Sequence, residues 1–375
     1  MDELEVAHAS LAGFRLDLRD VAEGFSSNVE RLLPGVALPG ESAELMLTLA
    51  PAFEKFHAAV SAAHRDDMTT VGRLRTHLGT AKREYKGAEY TSTNGITAAV
   101  DLGIPGQPAD AAEVRRFSGL NLPYLPQVEE APASVRHVVT EGIGLISPYD
   151  QPLSQTIGLK PAADYLAPLV GDWEALQSAG ERIGLLGIND YTASENIAGG
   201  TDWLRTSWVR LGSQAFGDHA GPLGESMAGR SWDLDAVSKI VQNSGACLER
   251  LVYNQAIELS SELTRPMSFL GFTLPLAVWA LMVAKPMPES MRSEIVGAVN
   301  TLKSSVKTRQ EDMTAMLDRI STAMDYSPER TPPKFAMADF DLPAKVDAGP
   351  HLLQYGFGGH VWWQHNAVSG DPLAV

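Results

Sequence analysis

Apolar residues at the start of the chain recur at Leu4, Ala7, Leu11, Phe14, Leu18, Val21 and Phe25, in alternating steps of three and four. That spacing keeps every apolar side chain on one narrow stripe of an α-helix, the seam of a coiled coil. A strand, whose faces alternate every second residue, cannot use it. The segment LLPGVALPGES (32–42) breaks the stripe with Pro34, Gly35, Pro39 and Gly40, and places Glu41 or Ser42 to cap a following helix. The stripe then resumes through Phe53, Phe56, Val60, Val71, Leu74, Leu78, Ala81 and Tyr85. Two seam helices around a short break predict an antiparallel hairpin over 1–101. At about 1.5 Å per residue the second helix can exceed roughly 60 Å.

From 102 to 160, Pro105, Pro108, Pro123, Pro126, Pro132, Pro148 and Pro152 interrupt every candidate element. This predicts a linker with one or two short helices. Helical spacing returns over 161–326. Leu166, Val170, Trp173, Leu176 and Ile183 share a face, GLLGIND (184–190) marks a bend or break, and Ile197 and Leu204 resume the pattern. Leu234, Val237, Val241, Leu248, Leu251 and Val252 form another face. Ile295, Val299, Leu302, Val306, Met313, Leu317, Ile320 and Met324 define a last helix near 290–325. The tail, 327–375, is rich in proline and then in glycine and aromatics. Adjacent Trp362 and Trp363 argue that it docks on the helices or on a partner. The expected fold is all-α: tandem antiparallel helical hairpins or a helical bundle, with a proline-rich linker and an irregular tail.

Residues 267–284 carry no charge, close to the roughly 20 apolar residues that span a bilayer, with Pro275 in their middle. Two readings stand. Phe269, Phe272, Leu276, Trp279 and Leu281 belong to a buried helix or helix–loop–helix, or they form a segment that enters a membrane.

The 46 acidic and 30 basic residues give a net charge of −16. This excludes nucleic acid as a partner and favours a basic one. Cys247, the single cysteine, is expected as a small core hydrophobe. The opening MDELEVAHASLAGF has neither a basic nor an apolar signal region, so any export is expected to be independent of a signal peptide. No nucleophile, phosphate-loop or metalloprotease motif is present. His360 and His365 lack a neighbouring carboxylate or cysteine, GFGG (356–359) lacks a strand–turn–helix context, and Asp66–Asp67 and Glu129–Glu130 read as solvated charge. No catalytic residue, cofactor or metal is expected.

WVRLGSQAF (208–216) has the makings of a turn between two long helices. Gly212 offers backbone freedom, Trp208 covers the end of the interface, and Ala215 then Phe216 open the returning helix, small before large. The segment resembles the Trp-x-Gly family of type VII (ESX) secretion substrates, with Arg210 where the name-giving glycine would stand. Upstream, Gly171, Asp172, Trp173 and Asn196 are similar to the Gly-Asp-Trp element and helix asparagine of longer actinobacterial members. LGTAKREYKGAEYTSTNGI (78–96) looks like the end of the ESX-associated excreted-protein family, with Tyr85 and Glu89 matching its Tyr-x-x-x-(Asp/Glu) export signal. Four residues apart on a helix, these two side chains share a face. A plain structural reading makes Tyr85 the last seam residue and Glu89 a solvated charge.

The resemblance implies a non-enzymatic substrate or effector. It would leave the cell by a signal-peptide-independent route for the envelope or the exterior. Its implied partners are the type VII secretion ATPase and machinery, a Trp-x-Gly partner or chaperone, and a second copy of itself. The alternatives are a membrane-active protein using 267–284, or an enzyme or toxin-delivery module whose site is assembled from distant residues.

Overall fold

A computed structural model describes residues 2–99, 114–208 and 211–348, and the side chains of 8–88, 114–208 and 212–348. The fold is all-α. Helices α1 (Asp2–Leu32) and α2 (Ala50–Ala99) form the first hairpin. They are antiparallel: the His8 ring lies 6.2 Å from Tyr85, Arg15 lies beside Gly79, and Phe25 meets His64 edge-on at 5.1 Å. The seam is buried as its spacing requires, with Leu11, Phe14, Leu18, Val21 and Phe25 facing Val71, Leu74 and Leu78. Each such side chain contributes roughly 1.5–3 kcal/mol when fully buried. The break is longer than expected and includes short helical turns at Leu33–Gly35 and Met46–Leu49. Ser42 caps no helix; its hydroxyl donates to the Pro39 carbonyl at 2.6 Å.

The second hairpin pairs α6 (Ala175–Ser207) with α7 (Leu211–Thr264). The expected bend at 184–190 is absent, and α6 runs through it as one helix. The reason is close approach. A Cβ at Gly187 would meet the Ser231 carbonyl at 3.1 Å and Leu234 at 3.2 Å, so these glycines let α7 lie against α6. Packing thus offsets the roughly 1 kcal/mol that a helical glycine costs. Helix α9 (Glu289–Ala323) packs along α7 and buries Ile295, Val299, Leu302, Val306, Met313, Leu317 and Ile320 in the main core.

The described part of the expected linker holds two short helices, within the one or two expected, but they pack into the core instead of serving as a spacer. Residues 134–165 form α3 (Ser134–Ile146), α4 (Asp150–Ile157) and α5 (Pro161–Tyr165). Val135, Val138, Val139, Ile146 and Leu153 enter the main core beside Trp173. The prolines did not forbid this, because Pro152 sits in the first turn of α4, where a missing N–H costs nothing.

Between residues 114 and 133 the chain is a strap with no regular structure, laid across α1 and α6. The Arg115 amide donates to the Ala9 carbonyl at 3.2 Å, and Arg116 pairs with Asp17 and Asp20. Asn196 grips the backbone of Asn121 from both sides, accepting from its amide (2.8 Å) and donating to its carbonyl (2.6 Å). Residues 327–348 make a second strap over α7 and α9. There Asn254 donates to the Ala344 carbonyl (2.8 Å) and accepts from the Val346 amide (2.9 Å), and Arg330 binds Asp233 at 2.7 and 2.9 Å. Docking of the tail on the helices thus holds for this stretch. Trp362 and Trp363 lie outside the described residues, as do His360, His365 and GFGG.

The apolar segment 267–284 is neither a single helix nor a helix–loop–helix. Strands β1 (Pro266–Phe269) and β2 (Phe272–Pro275) pair antiparallel, Met267 opposite Leu274 and Phe269 opposite Phe272. Leu270 and Gly271 turn between them at φ 53° and 81°. A short helix, α8 (Leu276–Met282), follows. Leu276 and Trp279 are buried, and the Trp279 indole donates to the Met267 carbonyl at 2.7 Å while Phe269 meets its ring edge-on at 5.2 Å. Leu281 is half-buried in the same core, whereas Phe272 is 65% exposed at the hairpin tip. Among the described residues no helix is long and apolar enough to cross a membrane.

Candidate recognition end of the bundle

The two sequence motifs meet at one end of the four-helix contact between α1, α2, α6 and α7. Helix α6 opens on the Gly-Asp-Trp element, where the Asp172 carboxylate accepts from the Ala175 amide at 3.2 Å and the buried Trp173 indole donates to the Leu169 carbonyl at 2.8 Å. It closes at Trp208, which leaves the helix in an extended conformation and turns its ring inward. Trp208 is buried beside Phe216 (6.2 Å between centroids), which in turn meets Phe14 at 6.0 Å. The Trp208 indole N–H donates to the Tyr85 hydroxyl at 3.1 Å. Residues separated by 123 positions therefore share one hydrogen bond.

Gly212 acts differently from expectation. It lies within α7, and no positive φ is found there. Its role is clearance: a Cβ at Gly212 would stand 2.7 Å from Cζ2 of Trp208. Ala215 is exposed and does not take part in close helix approach; Phe216 alone packs. Arg210 lies outside the described residues. Tyr85 is half-buried, so part of its ring faces outward, while Trp208 behind it does not. Glu89 belongs to α2, but its side chain is outside those described.

No protein-family model, curated protein or solved structure matches the chain.

Sequence reasoning missed a buried ionic cluster at mid-bundle. Arg230 on α7 donates from Nε to Asp190 at 3.0 Å and from Nη2 to the same carboxylate at 2.7 Å, and it also pairs with Asp67. His64 Nε2 lies 3.3 Å from Asp190. Asp67 had been read as solvated, but only Asp66 is; Asp67 is buried and ion-paired. Burial works against the charge on Asp190, yet Arg230 and His64 beside it outweigh this and hold its carboxyl below the usual range. Burial raises the Asp67 carboxyl despite Arg230. It also opposes the Arg230 charge, but the two carboxylates hold the guanidinium above its ordinary pKa. The signal was present in the sequence: Val60, His64, Asp67 and Val71 continue the steps of four and three, so two polar residues occupy seam positions.

The cluster is buried, and its side chains are tied to one another by the Arg230 guanidinium. Its geometry suits a lock between α2, α6 and α7 rather than chemistry. Among the described residues no group of three or more His, Cys, Asp or Glu side chains could hold a metal ion. Cys247 is buried, and burial pushes its thiol pKa up, as for a core residue.

Proposed function

We propose that this chain is a non-enzymatic export substrate of the type VII class, acting by protein–protein binding. Its recognition patch is the outward face of Tyr85 with Glu89. Trp208 is a positioning residue that fixes the Tyr85 hydroxyl from behind. The observation that carries the reading is the Trp208–Tyr85 hydrogen bond, which joins the two resembling motifs at one end of the bundle. An aromatic ring held still and half-exposed loses little rotamer freedom on docking, which favours binding. The partner of this patch is the secretion ATPase or its associated machinery. The protein is cytoplasmic before export and extracellular or envelope-bound afterwards.

The test is export of Tyr85→Ala and Glu89→Ala variants from an actinobacterial host with a type VII system. Loss of extracellular protein at unchanged intracellular folding is expected. Normal export of both variants refutes the signal assignment.

A second reading rests on the hairpin tip, where Leu270 (70%) and Phe272 (65%) are exposed side by side. Through them the protein contacts a lipid surface after export. Leu270→Asp and Phe272→Asp should abolish flotation with phosphatidylcholine vesicles. If the unaltered protein fails to float, this reading is gone.

A further inference from the structure

An open cleft of about 480 Å³ lies between the first half of α6 and the middle of α7, closed on one side by the end of the first strap and the start of α3. Four carboxylates line it, from Glu129, Glu174, Glu181 and Glu249, together with the amides of Gln177 and Gln242, and no basic side chain is among its lining residues. The comparable cleft between α7 and α9 differs, since Arg265 and Arg309 there answer Glu262 and Glu258.

Glu174 is the decisive residue. It is 4% exposed. Its Oε1 is engaged, accepting from the Ser134 hydroxyl at 2.7 Å and the Val135 amide at 2.9 Å, which caps α3. Its Oε2 is buried and has no hydrogen-bond partner. Buried carboxylate oxygens are ordinarily satisfied, so an unpaired one at the floor of an acidic cleft indicates a missing donor. Glu249 stands on the wall, its carboxylate accepting from the Gln177 amide at 2.7 Å. Burial, with Glu174 nearby adding to it, raises the Glu249 carboxyl pKa against the pull of the Gln177 amide and of the Arg250 and Lys345 charges, which act on Glu249 without lining the cleft. A cation entering the cleft relieves both carboxylates. The carboxylates do not converge tightly enough to hold a metal ion. An ammonium carries three donors on a compact charge and a flexible stem, and can bridge spaced acceptors.

We propose that this cleft binds a primary alkylammonium group, with Glu174 accepting at its floor and Glu249 at its wall. The group is the head of a lysine side chain or of a free polyamine. The net charge of −16 draws such cations toward the surface.

Titration calorimetry on the full chain, with spermidine, an acetylated and amidated trilysine peptide, and magnesium chloride as separate titrants, tests this. At least one ammonium titrant should bind more tightly than magnesium. Glu174→Gln and Glu249→Gln should each weaken it at least tenfold, while the remote, exposed Glu294→Gln should leave it unchanged. Gln at 174 keeps the Oε1 acceptor that caps α3. Glu249 has no part in that cap, so its variant reports on the cleft even if the first perturbs folding. Tighter binding of spermidine assigns a free polyamine, and tighter binding of the peptide a lysine of a partner chain. Absence of binding by both ammonium titrants, equal binding of magnesium, or affinities unchanged in both cleft variants overturns the proposal. None of these outcomes depends on the export reading.

Discussion

Removing the Arg230 guanidinium should be the most damaging single change in the core. Its side chain is 2% exposed, and those of its partners Asp190 and Asp67 are 0% and 10% exposed. Arg230→Leu strands two carboxylates in a medium that solvates charge poorly. Breaking a buried pair from one side costs about 3–5 kcal/mol. The cluster can answer by taking up a proton, and then the loss depends on pH. An orphaned buried carboxyl has its folded pKa raised above its unfolded value near 3.9. Its protonated form stabilises the fold below that unfolded value, and the benefit is lost as pH rises toward the raised folded pKa. The destabilisation should therefore be greatest at neutral pH and shrink by about 1.4 kcal/mol per pH unit per proton bound on acidification toward pH 5. Urea unfolding followed by fluorescence of the buried Trp173, Trp208 and Trp279 measures this at each pH. Replacing Arg230 and Asp190 together, by Met and Leu, should cost less than Arg230→Leu alone, because one stranded charge is removed. A loss under about 1 kcal/mol, or one that does not change between pH 7 and pH 5, would refute the argument that Arg230 neutralises buried charge.

Two further changes test the recognition end and the first strap. Gly212→Ala places a methyl group 2.7 Å from the Trp208 ring. It should cost about 1–3 kcal/mol by overpacking and shift the Trp208 indole N–H resonance as its bond to Tyr85 is lost; an unmoved resonance contradicts the geometry. Arg116→Ala removes the strap's pairing with Asp17 and Asp20. Burial is the largest single influence on the Asp20 carboxyl and opposes its charge, but the hydrogen bonds and charges of Arg116 and Arg19 together outweigh it and lower its pKa. Its contribution is thus present above the unfolded carboxyl value near 3.9 and lost as pH falls through the lower folded value. The Phe117 amide, which donates to Asp17 at 3.0 Å, reports on the strap. Its hydrogen exchange should quicken roughly fivefold in the variant, for about 1 kcal/mol, and the unaltered protein should show the same loss of protection on acidification below pH 4.

What could be read from the sequence follows from which interactions are local. The seams of α1, α2 and α9 repeat at a helical period, and Phe14, Leu74 and Ile295 are buried where that period places them. Period alone cannot register a partner. The grips of Asn196 on Asn121 and of Asn254 on Ala344 and Val346 join residues 75 to 92 positions apart, and the straps they hold have no repeat of their own. The prolines that suggested a spacer merely exclude helix from a segment that docks by side-chain bonds to its backbone. The apolar run 267–284 misled for the opposite reason: hydrophobicity was uniform, so neither period was legible. The turn at Leu270–Gly271 then chose strands over helix.

At the recognition end the sequence indicated which residues mattered but not their division of labour. Trp208 was expected to cover the end of the helical interface and is buried there, whereas Gly212 looked like a turn glycine, yet it is helical. Both serve to place Tyr85. This ordering has a consequence for any binding role. On the proposed reading a receptor would meet Tyr85 and not Trp208, so Trp208→Phe, which keeps an aromatic filler but removes the indole donor, should weaken recognition only as far as Tyr85 gains freedom. A side chain's lost rotamer freedom is worth about 0.5–1.5 kcal/mol at an interface, or roughly a twofold to tenfold change in affinity. Tyr85→Ala removes the contact itself and must do more.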